Sequence, residues 1–211
     1  MATSGFTLYG FWLSGPSYKA ALMLALCGIK FGYKSISLQQ GAHKTPEYLA
    51  LNRYGQVPTL KHGEHAIVQS NVILDYLSEL AGKFRGHDKA SVVHAKEWLA
   101  WEADRLAPNV YRTRFYKRFA PNTDPNVVKV FADAADVALK VLDGALAKGP
   151  FLVGKEASIA DIACWAPVAF LEEAGMSIDL YPNVKAWAER LGKLPGFKLP
   201  YDLMPKEDVA A

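Results

Sequence analysis

Apolar positions follow two different periods along this chain, and the change between them falls near residue 81. Short apolar runs in the first part predict four strands, at residues 6–11, 33–38 and 57–60 and, after a hairpin turn at Gly63, a run that ends at Val68. Helical spacing predicts one helix that ends near Gly28 and another that Ser70 caps. The elements therefore follow the order strand, helix, strand, and then strand, strand, helix.

This order is that of a thioredoxin-like domain, and the turn after its first predicted strand is informative. Residues 11–19 read Phe-Trp-Leu-Ser-Gly-Pro-Ser-Tyr-Lys, at the place where thioredoxin-like domains carry a Cys-x-x-Cys motif. Ser14 and Ser17 occupy the two cysteine positions, so this turn cannot form a disulfide. A hydroxyl beside the spare N–H groups of a helix start favours an anion, and we interpret the turn as a place to hold another molecule's thiolate.

The rest of the chain has helical spacing only. Apolar residues between Val127 and Ala145 step by three or four along one long helix, and a shorter helix is predicted near residues 184–191. The Ser-Ile-Ala-Asp sequence at residues 158–161 is a capping box, which we assign to folding rather than catalysis. We predict a thioredoxin-like α/β N-terminal domain at residues 1–81, a linker at 82–88 and an all-α C-terminal helical domain at 89–211.

Composition excludes several classes of function. The 211 residues are 51% hydrophobic and 21% charged, which is ordinary for a soluble globular protein. The net charge of +3 comes from scattered lysines and arginines rather than from the basic stripe that nucleic acid requires. The sequence has neither a membrane-spanning apolar run nor a secretory signal pattern at its start. We therefore expect a cytoplasmic protein with no nucleic-acid or membrane partner.

The two cysteines, Cys27 and Cys164, both lie inside apolar helical patterns. We interpret them as reduced core residues, because a free cysteine commonly packs as a small apolar side chain. Neither has a cysteine or histidine at the spacing of metal ligands, so we expect no metal site.

The segment Gln56-Val57-Pro58 precedes a predicted strand. An isolated proline at such a place is usually an ordinary trans turn residue. Its position after the Ser-Gly-Pro-Ser turn favours a cis bond instead, which costs only about 0.5–1 kcal/mol before proline. A cis bond would turn the N–H and C=O of Val57 outward, where they can pair with an extended peptide.

Two other places suit carboxylates. The helix start at Ser70 can receive one through its hydroxyl and spare N–H groups, in addition to being capped, and Gln69 stands beside it. His43 and Lys44 lie in a polar segment ahead of a short predicted helix. A surface histidine is often a bystander, but across from Val57 it could hold a second carboxylate.

Together, these features resemble the cytosolic glutathione transferases over essentially the whole chain. The thioredoxin-like half, the linker near Gly82, the helical half and the Ser-Ile-Ala-Asp box fall in the order of that family. The resemblance is to its serine-type members, either to bacterial-like ones or to theta- and delta-like ones. The resemblance implies the fold of the family, a thioredoxin-like domain followed by a helical one.

The resemblance also implies which residue is catalytic. In serine-type members, a serine two residues before a helix-opening proline donates a hydrogen bond to the glutathione sulfur, and Ser14-Gly15-Pro16 has that spacing. Ser17 stays open as a lesser candidate, because the second position of such a turn tends to be buried. The tyrosine of tyrosine-type members would fall at Gly10, and Tyr9 should face the opposite side of its strand.

The resemblance assigns the parts of glutathione to the other candidates. The backbone of Val57 would pair with the cysteinyl unit, and Gln69 and Ser70 would take the γ-glutamyl end. His43 would take the glycyl carboxylate, with Lys44 or Gln56 as further candidates. The glutathione-binding residues implied in this way are His43, Gln56, Val57, Pro58, Gln69 and Ser70. Gln69 replaces a glutamate that is common in serine-type members, and the exact class stays open.

The implied function is that of a homodimeric detoxification enzyme with glutathione as co-substrate and no metal. It would activate the glutathione thiol as a thiolate for attack on small hydrophobic electrophiles, with some peroxidase or disulfide-reductase activity. Two alternatives stay open: a non-catalytic transferase-like binding protein, and a glutathione-dependent dehalogenase or isomerase.

Overall fold

The structure is a computed structural model that describes residues 5–210. The start of the chain, which was interpreted as lacking a secretory signal, lies for the most part outside these described residues. The chain divides into two compact units. One comprises the residues up to Ala81 together with those from Pro195 onward, and the other is Gly82–Leu194.

The first unit is built on a four-stranded sheet with the strand order β2-β1-β3-β4. The strands are β1 Phe6–Gly10, β2 Phe31–Ser35, β3 Thr59–His62 and β4 His65–Val68. β1 runs parallel to β2 and antiparallel to β3, while β3 and β4 form a hairpin. Leu8 in β1 lies opposite Leu60 in β3, and both are fully buried in the core of this unit. The predicted thioredoxin-like order of elements is confirmed.

Two strands are shifted relative to their predicted ranges of 33–38 and 57–60. Pairing explains both shifts. β2 is in register with β1 from Phe31 to Ser35, so it ends where β1 ends. β3 begins at Thr59 because that residue is the partner of Tyr9 near the end of β1. The apolar pattern identifies each strand, while the neighbouring strand sets its bounds.

Three helices complete this part of the first unit, α1 Gly15–Cys27, α2 Pro46–Leu51 and α3 Ser70–Ala81. α1 ends at Gly28, which has a φ of 73° and confirms the predicted helix end. α3 differs from the prediction by one residue. Ser70 is its first residue, and Gln69, with a φ of 70°, occupies the position before it and accepts the Ile73 N–H through its carbonyl at 3.0 Å.

The second unit is helical. Its helices are α4 Lys89–Trp101, α5 Ala107–Phe119, α6 Pro125–Leu146, α7 Ile159–Val168 and α8 Pro182–Leu191. A π-helical turn, Glu102–Leu106, joins α4 to α5. α6 is the long helix predicted from the step of three or four residues. The predicted helical half is therefore confirmed.

The buried face of α6 differs from the predicted one. The step of three or four residues from Val127 to Ala145 also includes Val141, and this spacing predicts a buried apolar face, but Val127 and Val141 are 40% and 49% exposed. The buried residues are Ala135, Ala138, Leu139, Leu142 and Leu146. α6 carries two apolar stripes, and α5 and α8 pack against the one that contains the leucines. The larger side chains decide which stripe is buried.

The residues after Leu194 belong to the first unit, whereas the helical spacing predicts them in the helical domain. They include a short helix, α9 Pro200–Leu203. Beyond α9, the backbone of Val209 exchanges two hydrogen bonds with Tyr33 at 2.7 and 2.9 Å. β2 is an edge strand with unpaired backbone groups, which an extended segment can satisfy.

Within residues 5–210, no helix is long and apolar enough to cross a membrane. The same residues contain no group of three or more histidine, cysteine or carboxylate side chains placed to hold a metal ion. Cys27 and Cys164 are not joined in a disulfide, and Cys164 is fully buried.

Candidate functional site

One cavity of about 440 Å³ in the first unit brings the predicted site residues together. Its lining includes all of the predicted catalytic and binding residues, Ser14, His43, Gln56, Val57, Pro58, Gln69 and Ser70. These residues come from four separate segments of the chain. The remaining lining residues are Pro16, Leu38, Lys44, Asn52 and Gly55. Among the described residues that line this cavity none is acidic, which suits an anionic ligand.

Ser14 lies in the turn between β1 and α1 and is the N-cap of α1. Its backbone N–H donates to the Phe11 carbonyl at 2.8 Å, which closes the turn. Its Oγ accepts the backbone N–H of Ser17 at 3.2 Å. This bond uses a lone pair of the oxygen, so the hydroxyl hydrogen can be donated to an acceptor in the cavity.

Ser17 is fully buried and does not line the cavity. Its Oγ instead accepts a hydrogen bond from the Phe11 N–H at 3.3 Å, which stabilises the turn within the protein interior. A Cβ added to Gly10 would lie 3.1 Å from the ring of Tyr33 and 3.2 Å from Ser17 Oγ. There is thus no room for a tyrosine at position 10, and Ser14 is the hydroxyl of this turn that reaches the cavity.

The Val57–Pro58 peptide bond is cis, as predicted. Two side chains hold the backbone carbonyl of the preceding Gln56 in place. This carbonyl accepts hydrogen bonds from the Tyr48 hydroxyl at 2.8 Å and from the Asn52 side-chain amide at 2.6 Å. Burial raises the pKa of Tyr48, which keeps its hydroxyl protonated as a donor. Sequence reasoning missed Tyr48 and Asn52, because no local motif marks either residue.

Gln69 and Ser70 form the wall at the start of α3. The first N–H groups of a helix have no partner within the helix, and α3 has no acidic side chain in its first turn to satisfy them. Gln69 is one of two residues other than glycine with a positive φ among residues 5–210. Such conformations are frequent where a chain clamps a ligand.

His43 and Lys44 also line the cavity. Lys44 Nζ donates to the Gly55 carbonyl at 3.1 Å, which ties this segment to the loop before Pro58. His43 Nδ1 is buried and has no hydrogen-bond partner among the described residues. His43 is nevertheless a lining residue, so part of its side chain faces the cavity.

Comparison with known proteins identifies the class of this fold and site. Residues 4–79 match the model of the glutathione S-transferase N-terminal domain, and residues 125–190 match that of the glutathione S-transferase C-terminal domain. Glutathione S-transferase 3 of Zea mays is 31% identical over 203 residues, with 90% of each chain covered. The chain therefore belongs to the glutathione S-transferase family of enzymes, which confirms the resemblance seen in its sequence.

Two other similar proteins bear on the site. The disulfide-bond oxidoreductase YfcG of Escherichia coli K12 is 28% identical over 185 residues, covering 84% of this chain and 86% of its own. A solved structure of glutathione S-transferase-I bound with lactoylglutathione has a TM-score of 0.84 and 26% identity, covering 95% of this chain and 100% of its own.

Proposed function

We propose that this protein binds glutathione in the 440 Å³ cavity and that Ser14 stabilises its sulfur as a thiolate. The single observation that carries the proposal is the hydrogen bond from the Ser17 N–H to Ser14 Oγ, at 3.2 Å. It fixes the oxygen at the rim of the cavity and directs its remaining hydrogen away from the helix. A thiolate placed there accepts that hydrogen.

The other walls match the remaining parts of an extended tripeptide. Val57 offers its backbone to the cysteinyl unit, and Gln69 and Ser70 offer a helix start to the γ-glutamyl carboxylate. His43 lines the same cavity and would take the glycyl carboxylate. Lactoylglutathione in a 26% identical neighbour supports a glutathione-derived ligand for this fold.

The hydrogen bond from Ser14 and the start of α1 can stabilise the thiolate sufficiently without a general base. A free thiol has a pKa of about 8.5, and lowering it by two units requires about 2.7 kcal/mol of preferential thiolate stabilisation. One hydrogen bond to a charged acceptor contributes about 1.5–3 kcal/mol, and the positive end of α1 adds to it. Ser14 and its helix can therefore ionise most of the bound thiol at neutral pH.

The thiolate then attacks a small hydrophobic electrophile. Its sulfur forms the new bond to carbon, and the leaving group departs with the electron pair of the broken bond. With a disulfide substrate, the sulfur forms a mixed disulfide and expels a thiolate. The 28% identity to a disulfide-bond oxidoreductase supports including disulfides among the substrates. With a peroxide, the thiolate would attack one oxygen and expel the alkoxide, and a second glutathione would convert the resulting sulfenic acid to glutathione disulfide and water.

Substitution of Ser14 tests this mechanism. In Ser14→Ala, we expect glutathione affinity by calorimetry to change little, because the tripeptide keeps its other contacts. Turnover with an aryl halide at pH 7 should fall by about 10- to 100-fold, which is the loss of one charge-assisted hydrogen bond. The pH profile of turnover should shift to higher pH. Unchanged turnover would exclude Ser14, and a wild-type protein that does not bind glutathione would overturn the whole assignment.

We further propose that the protein is a homodimer that acts in the cytoplasm in detoxification. An exposed apolar stripe on α3 supports the dimer: Val72 and Leu80 are 54% and 51% exposed, and the half-exposed Tyr76 lies between them at helical spacing. In analytical ultracentrifugation, the Leu80→Glu variant should sediment as a monomer, whereas the wild type should sediment as a dimer. Leu180→Glu, at an isolated leucine that is 73% exposed, is the matched control. Cell fractionation tests the location.

A further inference from the structure

A buried lysine links the two helices whose starts line the cavity. Lys19 lies in α1 and is only 2% exposed. Its Nζ donates a hydrogen bond of 2.7 Å to Oδ1 of Asn71, the second residue of α3. A buried ammonium is costly unless it is hydrogen-bonded, so a lysine at this place indicates a specific arrangement.

The link joins two places that one ligand would span. Lys19 follows Ser14 by five residues, which is somewhat more than one turn along α1. Asn71 directly follows Ser70 at the start of α3. α1 and α3 pack against each other, and this hydrogen bond links them near their starts. The separation of the Ser14 hydroxyl from the first N–H groups of α3 is therefore held by Lys19.

The link also places a cation beside an anion site. The first turn of α3 presents spare N–H groups to the cavity and carries no acidic residue. An ammonium bonded to the second residue of that helix adds positive charge just behind those groups. A buried charge is screened less by water than an exposed one, so this charge should strengthen the attraction of the first turn for an anion.

We propose that Lys19 is a positioning residue for the γ-glutamyl carboxylate of glutathione. Through Asn71 it holds the first turn of α3 in place and increases its attraction for that carboxylate. This inference rests on the proposed glutathione site and adds to it a residue that does not line the cavity. It predicts an effect confined to ligands that carry the α-carboxylate of the γ-glutamyl unit.

Two ligands test whether the effect of Lys19 is limited to molecules that carry this α-carboxylate. The first is glutathione, and the second is γ-aminobutyryl-cysteinylglycine, which is glutathione with the α-carboxylate replaced by hydrogen. Calorimetric titrations would compare wild type with Lys19→Met. We expect the substitution to weaken glutathione binding by about tenfold, because the charge-assisted hydrogen bond to Asn71 that positions the first turn of α3 is lost. Binding of the analogue should change less than about twofold, because it lacks the carboxylate on which the first turn of α3 acts.

Three further variants complete the design. Lys19→Arg keeps the charge and should retain most of the affinity for glutathione. Lys30→Met makes the same change at an exposed lysine just after α1 and should behave as wild type. Asn71→Ala keeps the lysine but removes its acceptor on α3, and should show the same selective loss. It also keeps the test decisive if thermal unfolding shows that Lys19→Met does not fold.

The outcomes separate this inference from the proposed function. Equal losses for the two ligands in Lys19→Met and Asn71→Ala would mean that Lys19 only stabilises the fold, and would overturn the inference alone. Unchanged glutathione binding in both variants would overturn it as well. A wild-type protein that binds neither ligand would overturn the proposed function and this inference with it.

Discussion

Ser14 at the start of α1 and Ser158 at the start of α7 begin their helices in the same way. Ser14 Oγ accepts the Ser17 N–H at 3.2 Å, and Ser158 Oγ accepts the Ala160 N–H at 3.2 Å. The two serines differ in the acceptor for the hydroxyl hydrogen. Ser158, which is 2% exposed, donates to Asp161 Oδ2 at 2.9 Å. Ser14 is half-buried at a cavity, and its first turn contains no acidic residue.

The surroundings of Asp161 show why the second site is structural. Its carboxylate accepts the Ser158 N–H at 2.8 Å, the Leu152 N–H at 3.0 Å and the Trp187 Nε1–H at 2.9 Å. Burial raises the pKa of this carboxyl, while these donors act in the opposite direction. All the polar groups of this capping box are satisfied within the fold. The difference is that the hydroxyl hydrogen of Ser158 is used within the fold, whereas no acidic side chain in the first turn of α1 accepts that of Ser14, which leaves it for the proposed ligand.

Substitution of Asp161 should have the largest effect on stability. Asp161→Ala leaves three buried N–H groups without an acceptor, each worth about 1–3 kcal/mol, so we expect a loss of about 3–5 kcal/mol. Urea unfolding would measure it. Asp133→Ala, at an exposed aspartate paired with Lys129, is the control and should cost well under about 1 kcal/mol. A loss for Asp161→Ala as small as that of the control would contradict the structural role.

The contrast also shows which features can be predicted from sequence. The Ser14 turn, the Val57–Pro58 bond and the capping box at residues 158–161 were predicted because their defining contacts join residues a few positions apart. The order of strands and helices likewise follows from local apolar periods. These features account for the fold class and for the segments that line the cavity.

The features that were missed depend on distant partners. Lys19 meets Asn71 across 52 residues, and Asp208 bonds the Ser35 N–H across 173. Nothing in the sequence near either residue indicates its partner. The buried face of α6 was also missed, because two apolar stripes on one helix can be told apart only by the helices that pack against them.

The next largest effect concerns the support of the Ser14 turn. Gly10→Ala places a Cβ 3.1 Å from the buried Tyr33 ring and 3.2 Å from Ser17 Oγ, and neither side chain has space to withdraw. We expect a loss of about 1–3 kcal/mol from overpacking. Turnover should fall too, because Ser17 is displaced and its N–H positions Ser14 Oγ.

A glycine with open space provides the control for this substitution. A Cβ on Gly144, inside α6, would meet nothing within 4 Å. Gly144→Ala should therefore stabilise the protein by about 0.5–1 kcal/mol, through higher helix propensity, and leave turnover unchanged. If Gly10→Ala behaved in the same way, the Ser14 turn would not depend on a bare backbone at position 10.

Replacing each of the two serine caps with alanine should have a smaller effect on stability. Ser158→Ala removes a cap and a donor to Asp161, and should cost about 1–2 kcal/mol without changing kcat per folded molecule. Ser14→Ala should cost about 1 kcal/mol or less, because water can enter the cavity and replace the lost contact, while turnover falls. Urea unfolding measures the loss of stability in both variants, and steady-state kinetics measures the loss of turnover. Equal losses of turnover in the two variants would remove the distinction between them.

The smallest effect is expected where the C-terminal segment meets β2. Lys34 Nζ lies 2.7 Å from Asp208, and this hydrogen bond lowers the pKa of the Asp208 carboxyl below its usual value. A carboxyl with a lowered pKa in the folded state stabilises the fold above its ordinary pKa of about 3.9, and this contribution is lost as the pH falls through the folded value. Asp208→Asn should therefore lower Tm slightly at pH 7 and leave it unchanged in acid.

The control for this substitution is Asp179→Asn, which removes an ion pair with Lys185 in the second unit. Both pairs are more than half exposed, so both should show the same small dependence on pH. They should differ in hydrogen exchange. Only Asp208→Asn should speed exchange of the Tyr33 and Val209 N–H groups, because Asp208 lies next to the segment that covers β2. Equal exchange in the two variants would mean that the backbone bridge alone holds the C-terminal segment in place.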